Sequence, residues 1–332
     1  MSDGSQSARP VSCASVAAIR LFGWIGLAIL GAFLINNFLT IGLGWPGVSG
    51  LLGSSETNPL SFVQAGIYAM ATVFAVSFCL CFKQRDLRTD ATLISEFNTY
   101  FIRGCFWAVL LVGVVDMAIS FLRVEGFLDD VVGAHLAGQL GRSIYRGTNI
   151  HIPLLVAGFV IALFCKGLGF TWLALMIVVA ELAIVITRFV FSYEQAFMGD
   201  LVRFWYAALF LFASAYTLLE DGHVRVDVFY TNFSTRKKGI VNAIGSILLG
   251  MSVCWAILII GMSSPTAIIN SPLMNFEVSQ SGFGMYTKYW MAGFLAIFAI
   301  SMQIQFVSYL LESCADWRGD PGGRAPTQGT RH

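Results

Sequence analysis

Eight apolar runs, each close to the length of a bilayer-spanning helix, dominate this chain. A helix needs about 20 predominantly apolar residues to cross the hydrocarbon core, whereas the strands of membrane barrels are shorter and alternate in polarity. Backbone groups left unpaired in hydrocarbon are costly, so segments of this length are predicted to be helices. The runs are centred on residues 21–41, 62–82, 102–122, 150–165, 168–187, 203–219, 240–262 and 289–311. The predicted fold class is all-α, a polytopic transmembrane helix bundle of about eight spans.

The composition excludes two other classes of protein. With 57% hydrophobic and only 12% charged residues, the chain has too few polar side chains to coat a water-soluble particle. A net charge of +1 leaves no basic surplus with which to neutralise phosphates. We therefore expect membrane lipids, and no nucleic acid, among the partners.

The fourth and fifth runs are separated only by residues 166–169, Lys-Gly-Leu-Gly. This short break is favoured as a tight hairpin between two helices, but it also fits an interruption within one longer, irregular segment. Two spans would keep the number of crossings even.

Lysine and arginine positions predict the orientation, because cytoplasmic flanks carry an excess of both. With the N-terminus inside, 14 basic residues fall on the cytoplasmic side and 6 on the other. Both termini are therefore predicted to be cytoplasmic, with a tail at 1–20 and an uncleaved first helix. A second cytoplasmic tail at 316–332, rich in Gly, Pro and Arg, is predicted to be disordered.

Between the third and fourth runs, residues 128–146 combine apolar and charged positions. Val131, Val132, Leu136, Leu140 and Ile144 recur at helix-like spacing, with Arg142 and Arg146 elsewhere. This pattern predicts an amphipathic helix lying in the membrane interface. A solvated helix that covers its neighbours fits equally well.

The residue types required by common enzymes and cofactor proteins do not occur in the right patterns. There is no Walker A loop, no G-x-S-x-G elbow and no H-E-x-x-H motif, and the seven cysteines include no C-x-x-C pair. The four histidines do not suggest facing haem ligands within the membrane. We therefore expect no enzymatic activity, no catalytic residues, no cofactor and no metal site.

Charged residues inside the predicted spans are few, and such residues are functional candidates by default. They are Asp116 in the third run and Glu181 in the fifth. Because proton relays and ion sites need clusters and these look like single residues, a structural hydrogen bond between helices is favoured for each. A transported-ion site is the alternative. Gln303 and Gln305 in the last run are likewise expected to hold helices together.

The stretch from 186 to 238 places unusual polar and aromatic residues in a fixed order. The series is Arg188 within Ile-Thr-Arg-Phe-Val-Phe, then Glu194, Trp205, Tyr206, the element His223-Val-Arg225-Val-Asp227, and Arg236. Downstream, Glu277, Ser279, Gly282 and Gly284 precede the last run, which contains Gln303. Over about residues 170–315 this pattern resembles the DctQ-type small permease subunit of the tripartite ATP-independent periplasmic (TRAP) transporters. The element at 223–227 is its most specific part.

The resemblance implies a domain at 168–315 with four helices, preceded at 21–167 by an extension of about four more spans that it does not cover. It implies a non-catalytic subunit that scaffolds a large permease, together with a periplasmic substrate-binding protein, in the bacterial inner membrane. The implied cargo is organic acids or similar small solutes, taken up with sodium. Arg188, Glu194, His223, Arg225, Asp227, Arg236, Glu277 and Gln303 are then candidates for subunit contacts or structural roles.

The sixth run is rich in aromatic residues, which supply rigid area for packing between helices. Phe204, Trp205, Tyr206, Phe210 and Phe212 are predicted to form a face that meets the large permease. Two other functions remain open: a stand-alone secondary transporter of eight helices, and a membrane anchor of a respiratory complex.

Overall fold

The computed structural model describes residues 13–53, 58–167, 169–193, 195–220, 230–278 and 284–323. Regular structure in these ranges is helical throughout. The helices are α1 (Cys13–Gly42), α2 (Gly50–Gly53), α3 (Pro59–Cys81), α4 (Leu87–Val124), α5 (Leu128–Val132), α6 (Ala134–Leu140), α7 (Ser143–Phe164), α8 (Phe170–Val190), α9 (Met198–Leu219), α10 (Thr235–Gly261), α11 (Asn270–Asn275) and α12 (Lys288–Arg318).

Eight of these helices are long and apolar enough to cross a membrane, counted over the residues described. They are α1, α3, α4, α7, α8, α9, α10 and α12, so the predicted all-α fold with eight spans is confirmed. The break near Lys166 separates two spans, α7 and α8, rather than interrupting one segment. The cytoplasmic position of the termini stays a prediction.

The spans α4 and α12 are much longer than their apolar runs. α4 has 38 residues and α12 has 31, lengths of roughly 57 and 46 Å at the rise of an α-helix, against a hydrocarbon core of about 30 Å. Apolar runs mark only the part of a helix that lipid surrounds, so the charged turns at the start of α4 and the end of α12 escaped prediction.

The chain divides into two compact units. One comprises residues 1–96, 218–255 and 302–332, and the other comprises residues 97–217 and 256–301. The unit boundaries fall within α4, α9, α10 and α12. These units group residues by contact, whereas the predicted division at residue 167 follows the family resemblance and stays a prediction.

Arg88, at the start of α4, holds the end of α12 and the residues beyond it. Its guanidinium donates hydrogen bonds to Asp316 Oδ1 (2.7 Å) and to the carbonyl oxygens of Asp320 (3.0 Å) and Pro321 (3.0 Å), and it lies 3.7 Å from Glu312 Oε1. Residues 316–323 belong to the tail that is predicted to be disordered, and three of them contact Arg88 in this way. The rest of the tail lies outside the described residues.

The predicted amphipathic helix at 128–146 is also corrected. The segment forms the short helices α5 and α6 and the first turn of α7, separated at Gly133 and Gly141. Gly133 has φ +82°, a left-handed conformation that ends α5 and that a residue with a Cβ atom rarely adopts. Because of these breaks the apolar residues do not share one face: Leu140 is buried while Val131 and Ile144 are exposed.

Gly158 permits the closest approach between α7 and α4. A Cβ atom at Gly158 would lie 2.4 Å from the backbone nitrogen of Ala108. Small residues let membrane helices pack backbone against backbone, where van der Waals contacts and hydrogen bonds replace the missing hydrophobic force. Two small residues, Gly158 and Ala108, thus form this contact, rather than large side chains that interlock.

We expect Gly158→Ala to destabilise the protein by about 1–3 kcal/mol, because the added methyl group meets backbone that cannot move aside. Thermal unfolding in detergent, followed by tryptophan fluorescence, measures the change. Gly66→Ala in α3 is the matched control, since open space surrounds that position. Equal midpoints for the two variants would contradict the packing described for Gly158.

Candidate functional site

Asp116 of α4 lies at the centre of a buried polar cluster. Its Oδ1 atom accepts hydrogen bonds from Arg146 Nη1 (2.9 Å) and His151 Nε2 (3.1 Å). Its Oδ2 atom accepts one from the backbone nitrogen of Tyr286 (2.9 Å). The side chains of Asp116, Arg146 and His151 are fully buried. We call these residues, with Ser120, Tyr289 and Trp290, the Asp116 cluster.

The hydrogen bonds of His151 define its tautomer. Trp290 Nε1 lies 3.2 Å from His151 Nδ1, and an indole nitrogen can only donate. Nδ1 is therefore an acceptor, the ring proton lies on Nε2, and Nε2 donates to Asp116. The Tyr289 hydroxyl also lies 2.6 Å from Nδ1 and donates to it. Both nitrogens of the only histidine in this cluster are thus occupied within the chain.

A π-helical turn at Gly147–His151 explains how Arg146 and His151 reach the same carboxylate oxygen. Five residues of an α-helix rotate the chain by about 500°, so the two side chains would point about 140° apart. In a π-helix the backbone bond joins residues five apart, as from Ile152 N–H to the Gly147 carbonyl, and residues at this spacing lie nearly above one another. The turn therefore aligns both side chains toward Asp116.

Arg146 is held on three sides. Its Nε atom donates to the Leu140 carbonyl (3.0 Å), and its Nη1 atom also lies 3.4 Å from Ser120 Oγ. The guanidinium carbon lies 4.0 Å from the centre of the Tyr286 ring, a cation–π contact. A buried charge without a partner is strongly unfavourable. In this cluster the positive charge of Arg146 and the negative charge of Asp116 offset each other.

The favoured hydrogen bond between helices is present at Asp116, but the other ionisable residues of its cluster were not predicted. Asp116 does bond between helices, as favoured, but it is not a single residue in the membrane, because Arg146 and His151 join it. Arg146 was assigned to the charged face of an interfacial helix. The signal available in the sequence was a basic residue and a histidine at the start of one span, but a π-helical turn leaves no mark in hydrophobic periodicity.

A second buried pair, which sequence reasoning missed, lies in the other unit. Arg20 Nε donates to Asp90 Oδ2 (2.7 Å), and Arg20 Nη1 donates to the Phe82 carbonyl (2.8 Å). The Trp24 indole donates to the same Asp90 oxygen (3.0 Å). Arg20 and Asp90 are almost completely buried. Arg20 is one of the 14 basic residues on the predicted cytoplasmic side, where the sequence indicates only a flanking charge, yet it joins α1 to the start of α4.

The aromatic residues of α9 divide between two faces. Phe204, Trp205 and Phe212 are fully buried within the chain, whereas Tyr206 and Phe210 are exposed. The Trp205 indole donates to the Val109 carbonyl (3.3 Å) and packs on Gly113. Phe204 and Phe212 pack on Phe294. The prediction of a single face is therefore wrong, because the helical period turns Tyr206 and Phe210 away from the other three.

Glu181 and Arg188 lie on the exposed side of α8. The hydrogen bond between helices that was favoured for Glu181 is not among the contacts of the described residues, so Glu181 differs from Asp116. Arg188 is in the last turn of the same helix. The exposed residues around Glu181 are otherwise apolar, as expected of a span that faces lipid or another protein.

Three further candidates, Gln303, Glu277 and Arg236, lie within the described residues. Gln303 is buried beside α10, where its amide, with the nitrogen turned toward the Met251 carbonyl (3.3 Å), accepts a hydrogen bond from the Trp255 indole (3.2 Å). Glu277 pairs with Lys288. Arg236 is exposed in the first turn of α10.

Glu194, His223, Arg225 and Asp227 lie outside the described residues, as do Ser279 and Gly282. The residues on either side of Glu194 both bond to Glu125, at the end of α4: Tyr193 through its hydroxyl (2.6 Å) and Gln195 through its amide (3.3 Å). The hydrogen bond to Glu125 raises the pKa of the Tyr193 phenol. Glu125 was not singled out from the sequence.

Fold and sites together define a multi-pass α-helical membrane protein whose buried charges are paired within the chain. Residues 174–315 match the family model described as "Tripartite ATP-independent periplasmic transporters, DctQ component". This part of the chain is thus similar to the DctQ component, and further helices precede it. Members of this family are components of inner-membrane transporters, and the family is not a family of enzymes. No curated protein and no solved structure matches the chain.

The Asp116–Arg146 pair supports a double-mutant test. Arg146→Met leaves a buried carboxylate without its cation, and we expect a loss of about 3–5 kcal/mol in stability. Asp116→Leu should cost a similar amount, since it leaves the buried guanidinium unpaired. The double variant should recover much of the loss, because neither charge remains. Thermal unfolding in detergent gives the three values, and simple additivity of the single losses would exclude direct coupling.

Proposed function

We propose that this protein is the small membrane subunit of a sodium-coupled TRAP transporter for organic acids or similar small solutes. It scaffolds a large permease and works with a periplasmic substrate-binding protein. The match of residues 174–315 to the DctQ component carries the proposal. The large permease binds the solute and sodium and moves both, while this chain anchors it in the bilayer.

The contacts of the polar residues in the spans support a scaffold. Gln305 donates to Ser95 (3.2 Å), Ser308 donates to the Ala91 carbonyl (2.7 Å), and Asp116 accepts hydrogen bonds from its own cluster. A solute or sodium site in a transporter needs polar groups that converge on a space between helices. Groups already bonded to one another serve helix packing instead, so solute binding is assigned to the partner.

A stand-alone transporter is the second candidate, and the Asp116 cluster is the observation that favours it. Buried ionisable residues in spans mark ion and proton pathways in many transporters. A respiratory anchor has less support, because His151 uses both ring nitrogens in hydrogen bonds and so has no lone pair left for haem iron.

Affinity purification of the tagged protein from its native membranes, in mild detergent, tests the scaffold function. We expect a large multi-spanning TRAP permease in roughly equal amount, identified by mass spectrometry.

Tyr206→Ala with Phe210→Ala removes exposed aromatic area and should leave folding intact, whereas Trp205→Ala should lower stability because that indole is buried.

Purification of the chain alone, followed by solute uptake after reconstitution into vesicles, would overturn the scaffold function. Asp116→Asn would then separate the candidates further. A transporter that uses this carboxylate would lose more uptake than the change in stability explains. Asparagine leaves the buried Arg146 charge without its anion, so the thermal midpoint of the variant is measured beside uptake.

A further inference from the structure

Glu181 occupies an unusual position in α8. It is the twelfth of 21 residues in the helix, close to the midpoint of the span, and its side chain is exposed. Its neighbours on the same side are apolar and exposed: Val178 is 63% exposed, Leu182 56% and Val185 49%. A carboxyl group therefore stands in the middle of an apolar surface at the depth of the hydrocarbon core.

This position is costly if lipid covers it. Acyl chains offer no hydrogen bond, and acidic residues near the middle of a span almost always face protein or water. Glu181 lies roughly 15 Å from each end of α8 at the rise of an α-helix, too far for its short side chain to reach the headgroups. Arg188 is two turns further along, about 11 Å, and has interactions of its own. Within the part of the chain that the structure describes, Glu181 thus has no hydrogen bond or ion pair.

We propose that Val178, Glu181, Leu182 and Val185 form the surface of α8 on which a transmembrane helix of the large permease packs, with a hydrogen-bond donor side chain against Glu181. This inference rests on the proposed function. The apolar neighbours supply van der Waals contact, and the donor removes the cost of the carboxyl group. We call these four residues the Glu181 surface.

The carboxyl group of Glu181 limits which molecule can cover this surface. A second copy of the chain packed symmetrically would place Glu181 against Glu181, because a two-fold interface pairs each patch with itself. Two carboxylates would repel each other in hydrocarbon, so this pairing would require at least one of the two groups to give up its charge. Lipid supplies no donor at this depth. A different helix that carries Arg, Lys, His or a neutral donor satisfies the carboxyl group, and the large permease is the membrane partner that the small-permease domain implies.

Photo-crosslinking locates the occupant. A benzoylphenylalanine is placed singly at Val178 or Leu182 in the full chain, in native membranes, with Phe74 of α3 as an equally apolar and exposed control. We expect a light-dependent adduct with the large permease at Val178 and Leu182, in clear excess over Phe74. Adducts between two copies of this chain, or none except with lipid, overturn the inference.

Substitution of Glu181 tests the hydrogen bond. Glu181→Leu should reduce the permease recovered on affinity purification roughly tenfold, the effect of one interhelical hydrogen bond in a membrane. Val185→Leu on the same surface is the control and should change little. Glu181→Gln keeps recovery if the donor is neutral and lowers it if the donor is a cation. Because the side chain is exposed, all three variants should keep the thermal midpoint of the free chain.

The two proposals fail in different ways. If the unmodified chain recovers no permease, the proposed function fails and the Glu181 surface loses its occupant with it. If the unmodified chain recovers permease while Glu181→Leu recovers as much, or the Glu181 surface gives no adduct with it, only the inference fails.

Discussion

The need to neutralise the Asp116 carboxylate away from water governs much of the unit formed by residues 97–217 and 256–301. Arg146 and His151 from α7 and the backbone nitrogen of Tyr286, just before α12, converge on its two oxygens. Each bond removes part of a large desolvation cost, so the carboxylate can be buried only where all three elements meet. The position of α7 against α4 and the conformation of the chain before α12 are thereby coupled.

This coupling also accounts for the irregular backbone. A π-helical turn departs from regular α-helical bonding, and such turns are frequent at functional sites. Here the turn lets two side chains five residues apart bind one carboxylate oxygen. Next to it, Gly158 lets α7 approach the backbone of α4. The same helix thus combines a close apolar contact with a polar one.

Polar groups in the membrane serve two purposes in this protein. Asp116 and Gln303 face inward and are satisfied by their own chain, whereas Glu181 faces outward at the middle of its span. Inward groups stabilise the subunit, and an outward group of this kind needs a partner. The division agrees with the proposed function, in which the outer surface of a small subunit binds a larger neighbour.

The class of fold follows from the amino-acid sequence alone, because the length of an apolar run measured against a bilayer is a local property. Eight spans, the break near Lys166 and the DctQ-type domain could all be read from neighbouring residues. The Asp116 cluster, the Arg20–Asp90 pair and the choice of which α9 face is buried could not. They depend on which helices meet and on a π-helical turn that hydrophobic periodicity does not reveal. They also depend on the burial of charged residues that the sequence places at the ends of spans. These features require the folded chain, because a charge that becomes buried must find its partners on other helices.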